Sequence, residues 1–276
     1  MADFERWLIG IDIDGTLVHD DGFLSPKVVE QVQRVRSLGH EVVIATGRAA
    51  ANAFPVIKDL QVSLDHAVCS NGAVTIKLEG HNPRGFSVHD VKTFDPAEVL
   101  TQLIDHLPNA HFAVEDIDGS YRFHKPFPAY ALGDINHEAP LEDLMHRPVS
   151  RGVVLSPEHE VDEFVGLMAK VGLQSVSYAI GYTAWLDIAP QGIDKGHALE
   201  QLRNHYGIPG HRTLVMGDGR NDIEMFRWAR GMGGHAFAMG QAPDEVKLEA
   251  SAITAAVDQD GVAQVLESLE GLKFLD

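Results

Sequence analysis

One cysteine, Cys69, in 276 residues allows no internal disulfide, and such a chain suits a reducing compartment. Basic residues are scarce: 22 Lys and Arg stand against 40 Asp and Glu, a formal charge of −18. A chain this acidic repels nucleic acid and anionic membrane surfaces, which are bound through basic patches. No apolar run approaches the ~20 residues that span a bilayer. The start, Met1-Ala2-Asp3-Phe4-Glu5-Arg6, has no basic n-region of a secretory signal. Repeats and low-complexity segments are missing. So are G-x-G-x-x-G, the P-loop and G-x-S-x-G, which weighs against dinucleotide, nucleoside triphosphate and serine-hydrolase chemistry. The expectation is a cytoplasmic chain, monomer or homodimer, that takes a small molecule. An apolar fraction of 45% supports one large domain or two modest ones.

What is present centres on Trp7 to Leu17. Trp7 to Ile11 is apolar throughout and reads as a strand buried on both faces, central in a parallel sheet. It runs into Asp12 and Asp14, whose side chains share a direction in an extended chain, and Gly15 permits a sharp turn there. Ser25-Pro26 opens a helix on Val28, Val32 and Val35. Glu41 to Ala45 is a second buried strand, ending at Thr46-Gly47-Arg48, with a helix following to about Leu60. His66 to Cys69 is a third, ending at Ser70-Asn71-Gly72. Strand–helix alternation of this kind predicts a doubly wound, Rossmann-like parallel α/β sheet.

The rhythm changes near Gly80. His81 to Gly85 reads as a linker, and a helix is expected from Asp95 on Val99, Leu103, Ile104 and Leu107. A hairpin turn is expected at Asp118-Gly119. Pro157 to Val171 reads as a helix with Val161, Phe164, Val165 and Met168 inward, and Ser175–Ile180 and Thr183–Ile188 as strands. Residues 80–187 are thus read as an inserted α+β domain, with 1–79 and 188–276 forming the core. The first pattern returns with a helix from Asp194 and a strand over Thr213 to Met216. That strand ends at Gly217-Asp218-Gly219-Arg220-Asn221-Asp222. Ala236–Met239 and Ser251–Thr254 read as short strands, and Gly261–Leu272 as a closing helix.

In a parallel sheet the carboxyl ends of the strands share one edge. Asp12, Asp14, Asp218 and Asp222 would crowd there, where like charges repel by several kcal/mol. Either some are protonated or a cation sits among them. Carboxylates without Cys or His partners favour a hard cation such as Mg2+. Lys195, in the first turn of its helix, is placed where the macrodipole disfavours a cation, which is explained if it faces the acids.

Asp12-Ile13-Asp14-Gly15-Thr16, Thr46-Gly47-Arg48, Lys195 and Gly217-Asp218-Gly219-Arg220-Asn221-Asp222 resemble, in order, the four motifs of the haloacid dehalogenase superfamily. The likeness is greatest to its Cof-type sugar-phosphatase branch, which Ser70-Asn71-Gly72-Ala73, Ala238 to Ala242 and Asp260-Gly261-Val262 also resemble. The resemblance implies a Mg2+-dependent phosphatase acting on a small phosphate ester, with the insert as a C2-type cap. It implies Asp12 as nucleophile and Asp14 as general acid and base. It implies a Mg2+ site of the Asp12 and Asp218 side chains, the Asp14 carbonyl and Asp222. Thr46, Gly47, Lys195 and Asn221 would hold the phosphoryl group, and Arg48 would reach toward the far end of the substrate. Phe226 and Gln241 depart from the branch's usual residues, away from the implied chemistry.

Other residues carry less. His137-Glu138 and His159-Glu160 lack the second His of a zinc-protease helix. His124 offers a substrate contact from the insert, although a solvated hairpin is its expected place, and Trp185, Tyr182 and Tyr130 offer stacking faces, although core packing is the usual role of such rings. Cys69 reads as buried. A phosphomutase or phosphotransferase on the same core remains open, since it differs only in the acceptor. A phospho-accepting signalling module also uses aspartate, hydroxyl and lysine on a parallel sheet, but needs neither Asp14 nor a lid.

Overall fold

The computed structural model describes residues 5–129, 131–181 and 183–269; Tyr130, Tyr182 and the far end of the closing helix lie outside them. In chain order the first elements are β1 (Leu8–Ile11), α1 (Pro26–Ser37), β2 (Glu41–Ala45), α2 (Ala50–Asp59), β3 (His66–Cys69), β4 (Val74–Leu78) and β5 (Phe86–Val91). Next come α3 (Ala97–His106), β6 (His111–Glu115), β7 (Tyr121–Phe123), β8 (Asn136–Glu138), β9 (Arg151–Leu155), α4 (Val161–Val171), β10 (Val176–Ile180) and β11 (Trp185–Pro190). The chain closes with α5 (Lys195–Tyr206), β12 (Thr213–Gly217), α6 (Ile223–Gly231), β13 (His235–Ala238), α7 (Asp244–Glu249), β14 (Ala252–Ile253) and α8 (Gly261–Ser268).

Among the described residues two sheets form. The larger has the order β14-β13-β12-β1-β2-β3-β4-β5, parallel from β14 to β3 and antiparallel at β3–β4–β5. β1 is central and buried at every position. Leu8 packs with Leu199 and Leu202 of α5. Ile9 and Ile11 pack on the other face with Val32 and Val35 of α1. Helices on both faces are why this strand is apolar without alternation.

The second sheet, β10-β11-β9-β6-β7-β8, is antiparallel except at β7–β8. It packs α3 and α4 through Val99, Leu103, Phe164 and Met168. The crossing between sheets differs from the sequence expectation. Residues 81–85 are the turn of a hairpin whose second strand, β5, pairs with β4 in the first sheet, so that sheet extends to Val91. β11 carries the second sheet to Pro190. α4 starts at Val161 and not at Pro157. Val165 is exposed, because Phe164 and Met168 occupy the buried stripe.

Away from the strand ends, His66 is buried with Nδ1 2.6 Å from the Tyr206 hydroxyl and Nε2 unpartnered. Burial, then the neighbouring His89 and His205, push its pKa down to about 4 from the ordinary 6.5. The unfolded chain therefore takes up this proton first, so the stability it contributes is present above pH 6.5 and is lost as pH falls toward 4. The melting temperature should fall over that window. His66→Leu should flatten the fall, and a thermal-melt series in pH checks it.

Candidate active site

β1, β2, β3 and β12 run parallel, so their carboxyl ends open onto one edge. Past β1, the Asp12 amide still donates to the Met216 carbonyl at 3.1 Å, which fixes the Asp12 turn against the β12 loop. Gly15 is in the left-handed region (φ +73°), and a Cβ on it would lie 2.2 Å from Asp218 Oδ2. Only glycine permits this approach of the first loop to the fourth. Gly15→Ala should therefore lose at least about 1–2 kcal/mol through the backbone alone. It should also displace Asp218, and denaturant unfolding with a turnover assay checks both.

Asp12, Asp218 and Asp222 place carboxylate oxygens within 4.8 Å of one another, and all three are buried. Lys195 Nζ, fully buried, donates to Asp12 Oδ1 at 2.6 Å and to Asp222 Oδ1 at 2.7 Å. Asp222 Oδ2 accepts the Asp218 and Gly219 amides, each at 2.9 Å. Thus Asp222 both shapes the β12 turn and anchors the lysine. Thr16 Oγ1 donates to Asp218 Oδ1 at 3.2 Å.

Three carboxylates crowd here, and the one ammonium bonds two of them. Burial is the main cause that holds the Asp12 pKa well above the carboxylate range. Lys195 opposes it, while Asp222, Asp218 and Asp14 reinforce it. Burial works against the Lys195 ammonium too, but Asp12 and Asp222 outweigh it and raise its pKa above an ordinary lysine. The set offers oxygen donors only and carries surplus negative charge, which fits a hard divalent cation. Among the described residues it is the one acidic, His or Cys group with this convergence.

The Asp14 side chain stands outside this triad, more than half exposed, and Arg48 forks onto both its oxygens, Nε reaching Oδ2 at 2.9 Å. The Thr46 hydroxyl is buried and accepts the Arg48 amide at 3.1 Å. A cleft of about 640 Å³ opens over this edge. Asp12, Asp14, Gly47, Arg48, Asp218 and Asn221 line its floor, and Arg151, Trp185 and Asp187 of the second sheet face them. Thr46, Lys195 and Asp222 lie buried around that floor.

Residues 9–266 match the family model of the haloacid dehalogenase-like hydrolases. The chain belongs to this family. A 5-amino-6-(5-phospho-D-ribitylamino)uracil phosphatase of Bacillus subtilis, YitU, is 27% identical over 95% of this chain and 96% of its own length. A phosphoglycolate phosphatase of Archaeoglobus fulgidus is 26% identical over 96% of this chain and 98% of its own. Among solved structures, the subclass IIB sugar phosphatase BT4131 superposes with a TM-score of 0.78 at 21% identity, covering 96% of this chain and 99% of its own. The likeness of that structure is one of fold: a parallel core with an inserted cap. This member of the family is a haloacid dehalogenase-like hydrolase.

Among the residues that sequence reasoning left away from the chemistry, one, Gln241, reaches the turn after β1. His124 is not at the cleft; its Nδ1 accepts the Phe112 amide at 3.1 Å, a hairpin contact between β6 and the end of β7. Gln241, read as remote, donates its side-chain amide to the Gly15 carbonyl and accepts the Val257 amide at 3.1 Å, bracing the turn that follows Asp12. Phe226 is core. Cys69 is buried, with burial pushing its thiol pKa far up, so it is inert. Trp185 does line the cleft, its Nε1 donating to Asp187 Oδ1 at 3.0 Å. Arg151 and Asp187 were not found from sequence, because only strand register brings them to the cleft.

Proposed function

We propose that this chain is a Mg2+-dependent phosphatase of a small phosphomonoester, a sugar phosphate or similar, working through an aspartyl-phosphate on Asp12. The observation that carries the reading is the buried Lys195 bridging Asp12 and Asp222, with Asp218 beside them. An Asp12 oxygen attacks phosphorus as the ester P–O bond breaks. Asp14 gives its proton to the leaving oxygen, then takes one from the water that attacks the phosphorus of the aspartyl-phosphate, freeing Asp12. Arg48, forked onto Asp14, must swing away for Asp14 to be protonated, and the leaving group gives it somewhere to go. Thr46, Gly47, Lys195 and Asn221 orient the phosphoryl oxygens. The Asp12 and Asp218 side chains, the Asp14 carbonyl and Asp222 would hold the ion, which supplies charge neutralisation at the transferring group.

The relatives' substrates, a phosphorylated ribitylaminouracil and phosphoglycolate, bracket a broad range of leaving groups. The test is a phosphate-release screen over sugar phosphates, nucleotides and cofactor phosphates, with Mg2+ and with chelator. Release is expected with Mg2+ alone. Equal release under chelator would overturn the metal role. Transfer to an added sugar hydroxyl instead of water would identify a phosphotransferase.

A further inference from the structure

We propose that the Ser70–Asn71 turn is a latch that holds the cap shut over Asp12 and ties its substrate-facing wall to the Asp218 loop. It deepens the phosphatase reading and rests on it for the turnover arm of its test alone.

Ser70 and Asn71 are consecutive non-glycine residues in the left-handed region (φ +49° and +52°), a conformation that the surrounding structure must hold in place. Their amides are pinned to the β2 loop: Ser70 N–H to the Arg48 carbonyl at 2.9 Å, and Asn71 N–H to the Thr46 carbonyl at 3.0 Å. So held, each side chain reaches one carboxylate of the cap. Ser70 Oγ donates to Glu115 Oε2 at 2.6 Å. Asn71 Nδ2 donates to Asp187 Oδ2 at 3.2 Å.

Those two acids flank Arg151. Asp187 Oδ1 accepts Arg151 Nε at 2.9 Å and Trp185 Nε1 at 3.0 Å, and Glu115 is directly opposite Arg151 in the β6–β9 pair. Hence Asn71 grips the acid that orients both the guanidinium and the indole facing the cleft. On its other side Asn71 Oδ1 accepts Asn221 Nδ2 at 3.0 Å. The amide orientation is fixed, because an ionised Asp187 only accepts. Gly47 leaves room for this bridge: a Cβ there would lie 3.1 Å from Asn71 Oδ1 and 3.5 Å from Asn221 Nδ2.

A polar line therefore runs from Asn221, between Asp218 and Asp222, through Asn71 and Asp187 to Arg151 and Trp185. A simple interdomain adhesive needs no link to Asn221 and no pair of left-handed residues. Opening the cap breaks the Glu115 and Asp187 contacts to the turn together, so closure is a two-state step. Asn71 is a positioning residue in this scheme: it sets how often the cap wall stands over a bound ester.

Asn71→Gly keeps the left-handed backbone and deletes both side-chain bonds. Nitroxides at Lys58→Cys in α2 and Lys170→Cys in α4, both exposed positions, report the core-to-cap distance by pulsed electron resonance; buried Cys69 stays unlabelled. The expected result is a narrow wild-type distance and a second, different distance in Asn71→Gly. The kcat/KM for the best ester from the screen should fall roughly tenfold or more, mainly through KM. Acetyl phosphate, whose leaving group is too small to span the cleft, should change less than about threefold. Ser70→Gly should shift the same quantities in the same direction, and serves if Asn71→Gly does not fold. An unchanged distance distribution, or equal losses on both esters, would overturn the latch. If the wild type releases phosphate from no ester, the phosphatase reading fails, and the distance measurement still decides the latch.

Discussion

Asp12→Asn is expected to lower phosphate-ester turnover by roughly four to six orders of magnitude, the scale seen when a covalent nucleophile is removed. Folding should not suffer. Burial above all, then the neighbouring acids, hold the Asp12 pKa well above the carboxylate range, so the folded chain prefers an uncharged side chain there. The sign follows from linkage: for an acid with a raised folded pKa, stability is full below its unfolded value and declines as pH rises through the folded one. In chelator, the asparagine variant should melt at or above the wild type, and its advantage should grow from acid toward neutral pH. Paired melts and phosphate-release assays measure both halves. A large loss of stability with little loss of turnover would reverse the assignment. An active site that costs stability is the usual trade-off.

Lys195→Met should be the more damaging change to the fold. It leaves Asp12, Asp218 and Asp222 converged in a buried site without their ammonium. Removing one partner of a buried ion pair costs about 3–5 kcal/mol. The raised Lys195 pKa means its stabilisation is fully present at neutral pH and is lost only in strong alkali, above the ordinary lysine value of ~10.4. Urea unfolding at neutral pH in chelator should show that loss. Adding Asp12→Asn to Lys195→Met should restore part of it, because one stranded charge is removed. Turnover should fall by about 10²–10³, as for loss of a preorganised charge at a transferring group.

How much of this was legible in the chain can be judged element by element. Trp7 to Ile11, Glu41 to Ala45, His66 to Cys69 and Thr213 to Met216 are apolar without alternation, and each is a strand of the parallel sheet. That order points Asp12, Asp14, Asp218 and Asp222 to one edge; the carboxylates of Asp12, Asp218 and Asp222 do converge beside Lys195, while the Asp14 side chain turns out to Arg48. The insert gave no such periodicity. β4 and β5 carry Lys77 and His89 on exposed positions and Asp90 on a half-buried one, which masked β5's membership of the core sheet. Arg151 and Asp187 converge because β9 pairs with both β6 and β11. That register is not written locally in short strands whose charges face inward. Gln241 escaped notice because its carbonyl partner is 226 positions away. The grip of Arg48 on Asp14 depends on side-chain reach across two loops, which residue spacing does not encode.

The account stands on Asp12 as the group that takes the phosphoryl from substrate. The direct measurement is a single-turnover reaction quenched in acid and reduced with borohydride, which converts an acyl phosphate to an alcohol. Peptide mass spectrometry should then find homoserine at position 12 and at no other aspartate, with the yield falling as product forms. Homoserine at Asp14 or Asp218, or no reduced residue during turnover, would contradict it.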